Sequence, residues 1–401
     1  MSNAVNLESG TKLFEDGDYR GAKDAFSWAA GTLERDDNKE ELSSALHWLG
    51  KSQYKLGEYS EALDSLTRAR ELRERLNGAS SVPAALVDVD LGKVYQELER
   101  GEDAINTVAG ALETLKEHAG ANSLEFAAAS SALGVLHAQR NNEAAEPLIN
   151  RGLGIRRAQL GQSHRLIAES LNDLSYCNFL ANNSTMSNVL GRKALAMMEK
   201  HLGENHAEVG MILYNLSNQY VKQRAFGKAE ISSRRGYAIL KEQFPADHEV
   251  NIWIADRLGT TCMVMYNLEE AKELHECALN VAERKWGKDS PKIVNSLVGL
   301  GSVHLNRNEY LLAEPYFKRA LNVLGNFAKL DGTTEYNATK EYGLLQQLSC
   351  CYVFQLKLGD ALRLVPDSFR AKHTSDFSRA IDLIKGSVEF VLKQIDRMQK
   401  E

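Results

Sequence analysis

Proline, long apolar runs and ligand-type cysteine spacings are what this 401-residue chain has least of. Its six prolines leave helices free to run, because a proline inside a helix removes a hydrogen bond and clashes with the preceding turn. No apolar run approaches the roughly 20 residues that a membrane-crossing helix needs, so no membrane partner is expected. The opening residues, Met1 to Gly10, carry neither the basic nor the apolar region of a secretion signal, and the expected location is cytoplasmic. The five cysteines (Cys177, Cys262, Cys277, Cys350 and Cys351) are odd in number and lack metal-type spacing. They are expected to pack as small buried apolar residues. Net charge is only −6. Residues 1–120 hold 14 Lys/Arg against 23 Asp/Glu, and residues 121–401 hold 34 against 31. Neither part has the concentrated basic excess of a nucleic-acid binder.

Catalytic signatures are missing as well. There is no phosphate-cradling glycine loop, no His-Glu-x-x-His helix and no nucleophile elbow. Gly152-Leu153-Gly154 falls inside a helical pattern, and Cys350-Cys351 is not a Cys-x-x-Cys redox pair. His164, His206 and His248 recur every 42 residues. Equivalent sites in stacked helix pairs stand roughly 16–20 Å apart, whereas zinc ligands lie about 2 Å from the metal. These histidines are therefore expected to shape the turns between repeats. The chain reads as a non-enzyme with no metal and no cofactor.

What is abundant is self-similarity. Ala22, Ala62, Ala104, Ala145, Ala229, Ala271, Ala313 and Ala361 recur at a spacing of about 42 residues, with Ser187 in the fifth place. Seven residues later a second small residue follows, at Ala29, Ala69, Ala111, Gly152, Ala194, Gly236, Ala278 and Ala320. Residues seven apart share one helical face. Ahead of each alanine helix lies another helical pattern with an apolar-small pair: Leu49-Gly50, Leu91-Gly92, Leu133-Gly134, Leu174-Ser175, Leu216-Ser217, Leu258-Gly259, Leu300-Gly301 and Leu348-Ser349. Glycine in a helix interior costs about 1 kcal/mol relative to alanine, so its recurrence implies close helix packing. Short turns such as Gly17-Asp18-Tyr19, Gly57-Glu58-Tyr59 and Asn308-Glu309-Tyr310 join the two. A fixed period in this range marks a stacked helical array.

The Leu-Gly pair, the turn aromatic and the Ala-x6-Ala helix resemble the tetratricopeptide repeat, over about residues 3–370. The usual repeat is about 34 residues, and these are longer. The long form resembles the repeats of kinesin light chains. Their Leu-Gly-x-Asp/Asn-His-Pro joins are echoed at Leu160-Gly161-Gln162-Ser163-His164, Leu202-Gly203-Glu204-Asn205-His206, Ala246-Asp247-His248 and Trp286-Gly287-Lys288-Asp289-Ser290-Pro291. Leu171-Asn172-Asp173-Leu174, Leu213-Tyr214-Asn215-Leu216 and Ala313-Glu314-Pro315-Tyr316-Phe317-Lys318-Arg319-Ala320-Leu321 match the helices. That family's N-terminal coiled coil has no counterpart ahead of the first repeat, which suggests a repeat-only relative and not a motor subunit.

The resemblance implies an all-α, right-handed solenoid of about nine helix-turn-helix repeats (3–370). A longer join is expected near Asn326–Thr339. The amphipathic C-terminal segment, 371–401, carries a heptad seam from Phe377 to Met398. It is expected to cap the array, to make the chain a dimer instead of a monomer, or to occupy its own groove. The first helices are expected to line a concave groove at positions two before and two after the leucine. Those positions include His47, Lys51, Lys93, Asn172, Tyr176, Tyr214, Asn218, Asp256 and Thr260. Asparagine amides can hold a peptide backbone, tyrosines its apolar side chains, and Lys51 and Lys93 acidic groups. The function expected is a non-catalytic scaffold or adaptor for a protein or peptide partner. The alternative is a peptide- or ligand-responsive regulator.

Overall fold

The computed structural model describes residues 3–35, 38–140, 142–331 and residue 351. Among them, regular structure is entirely helical. Antiparallel pairs follow one another: α1 (Asn3–Glu15) with α2 (Tyr19–Leu33), α3 (Lys39–Lys55) with α4 (Tyr59–Asn77), α5 (Val82–Glu97) with α6 (Gly101–His118), and α7 (Leu124–Ala138) with α8 (Ala145–Leu160). They continue with α9 (Arg165–Leu180) and α10 (Ser184–Leu202), then α11 (Ala207–Lys222) and α12 (Phe226–Gln243). The last pairs are α13 (Glu249–Val264) with α14 (Leu268–Trp286), and α15 (Val294–Asn306) with α16 (Tyr310–Asp331). The chain divides into two compact units, Met1–Val250 and Asn251–Glu401.

Packing within each pair follows from residue size at one crossing point. The periodic alanines from Ala22 to Ala313 are buried, as is Ser187. The residue one turn later drives into the small residue of the partner helix. A Cβ on Gly50 would stand 2.6 Å from Leu66 Cγ, one on Gly92 2.1 Å from Val108 Cγ2, and one on Gly134 2.6 Å from Ile149 Cγ1. No side chain beyond hydrogen fits there. In the fifth pair the sizes are exchanged: Gly191 occupies the large position and Ser175 the small one. Ser175 Oγ donates to the Ser187 carbonyl at 2.8 Å, and Ser187 Oγ to that of Ser175 at 2.7 Å. Both hydroxyls are thereby satisfied in a dry contact, where an unpaired one would be costly. Apolar clusters overlap along the first unit, with Tyr95 packed against two of them. Its core therefore runs on from repeat to repeat.

The turns inside repeats share one backbone device. Gly17 (φ 85), Gly57 (φ 70), Glu99 (φ 62), Asn182 (φ 61), Arg224 (φ 56), Tyr266 (φ 62) and Asn308 (φ 60) occupy equivalent places. The left-handed conformation ends the first helix whatever the side chain. The joins between repeats use a side-chain cap. Ser81 accepts from Ala84 N and Ser123 from Phe126 N. At the next three joins histidine takes over: Nδ1 of His164, His206 and His248 accepts from the backbone N of Leu166, Glu208 and Val250. The expected turn-shaping role of these histidines is a helix N-cap.

In the second unit, His275 takes the large position and is 1% exposed. It lies against Gly259 and Gly299, and its Nδ1 meets Asp256 Oδ1 at 2.9 Å.

Two expectations are corrected. Of the longer join expected near Asn326–Thr339, the part up to Asp331 is helical and belongs to α16, since nothing in Asn326-Phe327-Ala328-Lys329-Leu330-Asp331 breaks a helix; residues 332–339 lie outside the described residues. Among the cysteines, Cys177, Cys262 and Cys351 are buried but Cys277 is exposed, because it lies on the outer face of α14 with the exposed Glu273 and Asn280, four residues before and three after it. The ninth repeat, with Ala361, and the C-terminal segment 371–401 lie outside the described residues.

Candidate functional site

Within the first unit, the early repeats meet the later ones along a seam that repeats itself. The Tyr19 hydroxyl donates to Glu208 Oε1 at 3.2 Å, and one repeat on the Tyr59 hydroxyl donates to Glu249. His206 Nε2 lies 3.2 Å from the Glu15 carbonyl, and His248 Nε2 lies 3.0 Å from that of Lys55. Glu15 and Lys55 end α1 and α3, where carbonyls lack intrahelical partners. Because Nδ1 of each histidine already accepts a backbone hydrogen bond, Nε2 carries the proton and donates it. One imidazole thus starts one helix and closes another. Lys55 Nζ adds an ion pair to Glu208 at 2.5 Å. Aromatic rings fill the seam: Tyr19 packs edge-on against Phe14 at 5.1 Å, and Phe244 stacks on His248 at 4.3 Å.

The seam closes one side of a cavity of about 470 Å³. Its wall is built from the first helices of consecutive repeats, from α3 (Lys51, Tyr54, Lys55), α5 (Asp90, Lys93), α7 (Ala132, Val135), α9 (Arg165, Glu169, Asn172, Asp173) and α11 (Glu208, Ile212). Most of its charges are matched internally. Asp90 takes His47 Nε2 at 2.9 Å and Lys93 Nζ at 2.7 Å. Burial alone would raise the Asp90 pKa, but Lys93, His47 and Lys51 hold it well below the usual carboxylate range. Burial lowers His47 in spite of Asp90. Lys51 has its ammonium 3.9 Å from the centroid of the Trp48 ring, a cation–π contact, and burial lowers its pKa. Lys55 holds Glu208 low, against the effect of burial. Asp173 is the exception. Burial pushes its pKa up to about 7, Arg156 opposes the rise and Glu169 adds to it. The site can hold a polar ligand in a place largely screened from water; among the described residues no group of three or more His, Cys, Asp or Glu side chains is placed to hold a metal ion.

Of the residues anticipated from sequence, Lys51, Lys93 and Asn172 line this cavity. Asn172 Oδ1 accepts from Asn215 Nδ2 at 3.2 Å. Lys93, expected to meet acidic groups of a partner, already meets Asp90. His47 stands behind Asp90. Tyr176, Tyr214 and Asn218 are half-buried on α9 and α11, and Asn218 Oδ1 is buried with no hydrogen bond among the described residues. Asp256 and Thr260 belong to the second unit. There Asp256 Oδ2 accepts from Ser296 Oγ at 2.7 Å, and Thr260 Oγ1 donates to the Asp256 carbonyl at 2.8 Å. Sequence reasoning missed Asp90, Asp173, Lys55 and Glu208. For Asp90 and Asp173 a signal existed: each is an acid directly before the core leucine of its helix, at Leu91 and Leu174. For Lys55 and Glu208 there was none.

A family model described as the tetratricopeptide repeat matches residues 251–325. The Arabidopsis thaliana protein kinesin light chain-related 2 is 21% identical over 279 residues, covering 69% of this chain and 42% of that one. The chain thus spans about two-fifths of that relative's length. Among solved structures, a Rap protein complexed with competence and sporulation factor superposes with a TM-score of 0.55 at 15% identity, covering 82% of this chain and 99% of that one. The apo form of RapI gives 0.50 at 15% identity, covering 72% and 99%. These two share the helical solenoid fold. Together with the paired helices of the described residues, the family-model match and the curated relative support a tetratricopeptide-repeat protein with long repeats of the kinesin light chain-like type.

Proposed function

We propose that the chain is a non-catalytic scaffold that holds a short segment of a partner protein in the cavity of its first unit. The observation that carries this reading is the cavity's construction. Its wall comes from the first helices of consecutive repeats, with apolar positions (Ala132, Val135, Ile212) beside hydrogen-bonding and charged ones. Its volume falls within the roughly 300–1,000 Å³ of ordinary ligand sites. A mixed wall of this kind suits a peptide, which presents both backbone amides and side chains. The test is capture of partners from a lysate by the full chain and by Ala132→Trp, which fills the cavity from its wall. Proteins captured by the parent and lost by the variant support the reading; identical captures refute it.

A second reading, a ligand-responsive regulator, draws on the Lys55–Glu208 pair, which a ligand passing that side of the cavity has to part. A captured peptide that changes the radius of gyration in solution scattering favours it. An unchanged radius counts against it.

A further inference from the structure

We propose that the cavity of the first unit recognises a basic side chain, arginine or lysine, of the bound segment through the carboxylates of Glu169 and Asp173. This rests on the peptide-binding reading and specifies its chemistry.

The argument is an account of the cavity's charges. Lys55 is paired with Glu208, Lys93 with Asp90, and Arg165 approaches Glu15 at 3.8 Å. Lys51 lies on the Trp48 ring. Arg156 directs one terminal nitrogen to the Leu166 carbonyl at 3.0 Å and to Ser170 Oγ at 2.6 Å. Each basic group of the wall therefore already has a local partner. Glu169 and Asp173 differ: both line the cavity, and neither makes a hydrogen bond or ion pair among the described residues. They stand one turn apart on α9, hence on one face of it. The cations nearby, Arg156 and Lys93, act on Asp173 from a distance but are bonded elsewhere, and two carboxylates facing one screened space with no cation bonded to either are a costly arrangement. A guanidinium or ammonium between them relieves it, and charge-assisted hydrogen bonds to carboxylates are the strong ones.

The groups acting on Asp173 agree with this picture. They come from every side: Arg156 of α8, Glu169 of its own helix, Lys93 of α5 and Glu208 of α11. Their sum, with burial, leaves Asp173 titrating at about 7. The empty cavity thus holds a proton there near neutrality, and a cation entering displaces it. Binding should strengthen as pH rises toward 7 and level off above it, with at most about a tenfold change per pH unit for one proton.

The experiment is selection of a random hexapeptide library on the immobilised full chain, in EDTA so that no divalent ion mediates, beside Glu169→Gln and Asp173→Asn. Both substitutions keep side-chain shape and remove charge, and an unchanged or raised melting temperature checks their fold. The expected result is enrichment of Arg or Lys on the parent, with selected peptides bound about tenfold or more weaker by each variant. The rise in affinity with pH should vanish in Asp173→Asn. Peptides selected without basic enrichment, or bound equally by the variants, overturn this inference and leave the peptide-binding reading standing. No peptide selected at all overturns both.

Discussion

The Lys55 ammonium and the Glu208 carboxylate meet at 2.5 Å although 153 positions separate them in the chain. They close the seam on which the cavity depends. Burial favours a neutral lysine, but Glu208, with Tyr19 and Tyr54 behind it, raises the Lys55 pKa, so the pair is ionised at any ordinary pH.

Removing one partner should therefore leave a charge uncompensated. Side-chain exposures of 34% and 29% place the pair between the surface and buried cases. Lys55→Met should lower stability by about 1–3 kcal/mol. Lys55→Met with Glu208→Gln should lose less than the two single losses together. Denaturant unfolding of the four proteins measures the coupling, and strict additivity would show that the pair contributes nothing.

His206 makes the seam acid-sensitive. Burial lowers its pKa below 6.5, against Glu208 and the Glu15 carbonyl, which favour protonation. The unfolded chain then takes up the proton first. The stability His206 contributes is complete above about pH 6.5 and is lost as pH falls toward its lower folded pKa. His47 acts in the same direction. His206→Asn keeps a capping side chain but does not titrate, so its melting temperature should fall less steeply between pH 7.5 and 5.5. Each proton accounts for at most about 1.4 kcal/mol per pH unit. Parallel curves for parent and variant would exclude this role.

The glycine of the third repeat is required by Val108. Gly92→Ala should destabilise by about 1–3 kcal/mol through overpacking, because its Cβ would fall 2.1 Å from Val108 Cγ2 and 3.1 Å from the Ala104 carbonyl. Adding Val108→Ala vacates that space, so the double variant should lose less than the sum of the single losses. Thermal unfolding distinguishes this from a general intolerance of alanine in α5.

Tyr266 is the opposite case, a residue for which glycine is better suited. It has φ 62 and is 77% exposed. A left-handed backbone costs a side chain roughly 1–2 kcal/mol, partly offset by the roughly 0.5–1 kcal/mol that glycine loses in freedom on folding. Tyr266→Gly should raise stability by about 0.5–1 kcal/mol, read from the unfolding midpoint in denaturant. A lower midpoint would mean that the ring makes contacts worth more than the strain.

Legibility differed from one residue to the next. Ala62, Gly92 and Ser187 could be read directly, because each repeats a size requirement at a known place in its unit, and a requirement met many times stands out from a single chain. His206 could be read as far as its turn: recurrence placed it at a join, and its cap follows from what a join needs. Its second bond, to Glu15, could not be read. The expected groove positions and the lining of the cavity overlap in part. Positions two either side of the leucine found Lys51, Lys93 and Asn172, while the acid directly before the leucine faces the cavity in α5 and α9.

Periodicity along the chain thus carries the helix pairs, their order, their crossings and their turns, since each of these is a local requirement renewed about every 42 residues. How tightly the array coils is another matter. It depends on small rotations between neighbouring repeats that add up over the stack, and no single unit records their sum. Only the folded chain brings Tyr19 to Glu208 and Tyr59 to Glu249. Only that closure turns an open groove into a screened cavity, where burial can hold Asp173 near neutrality.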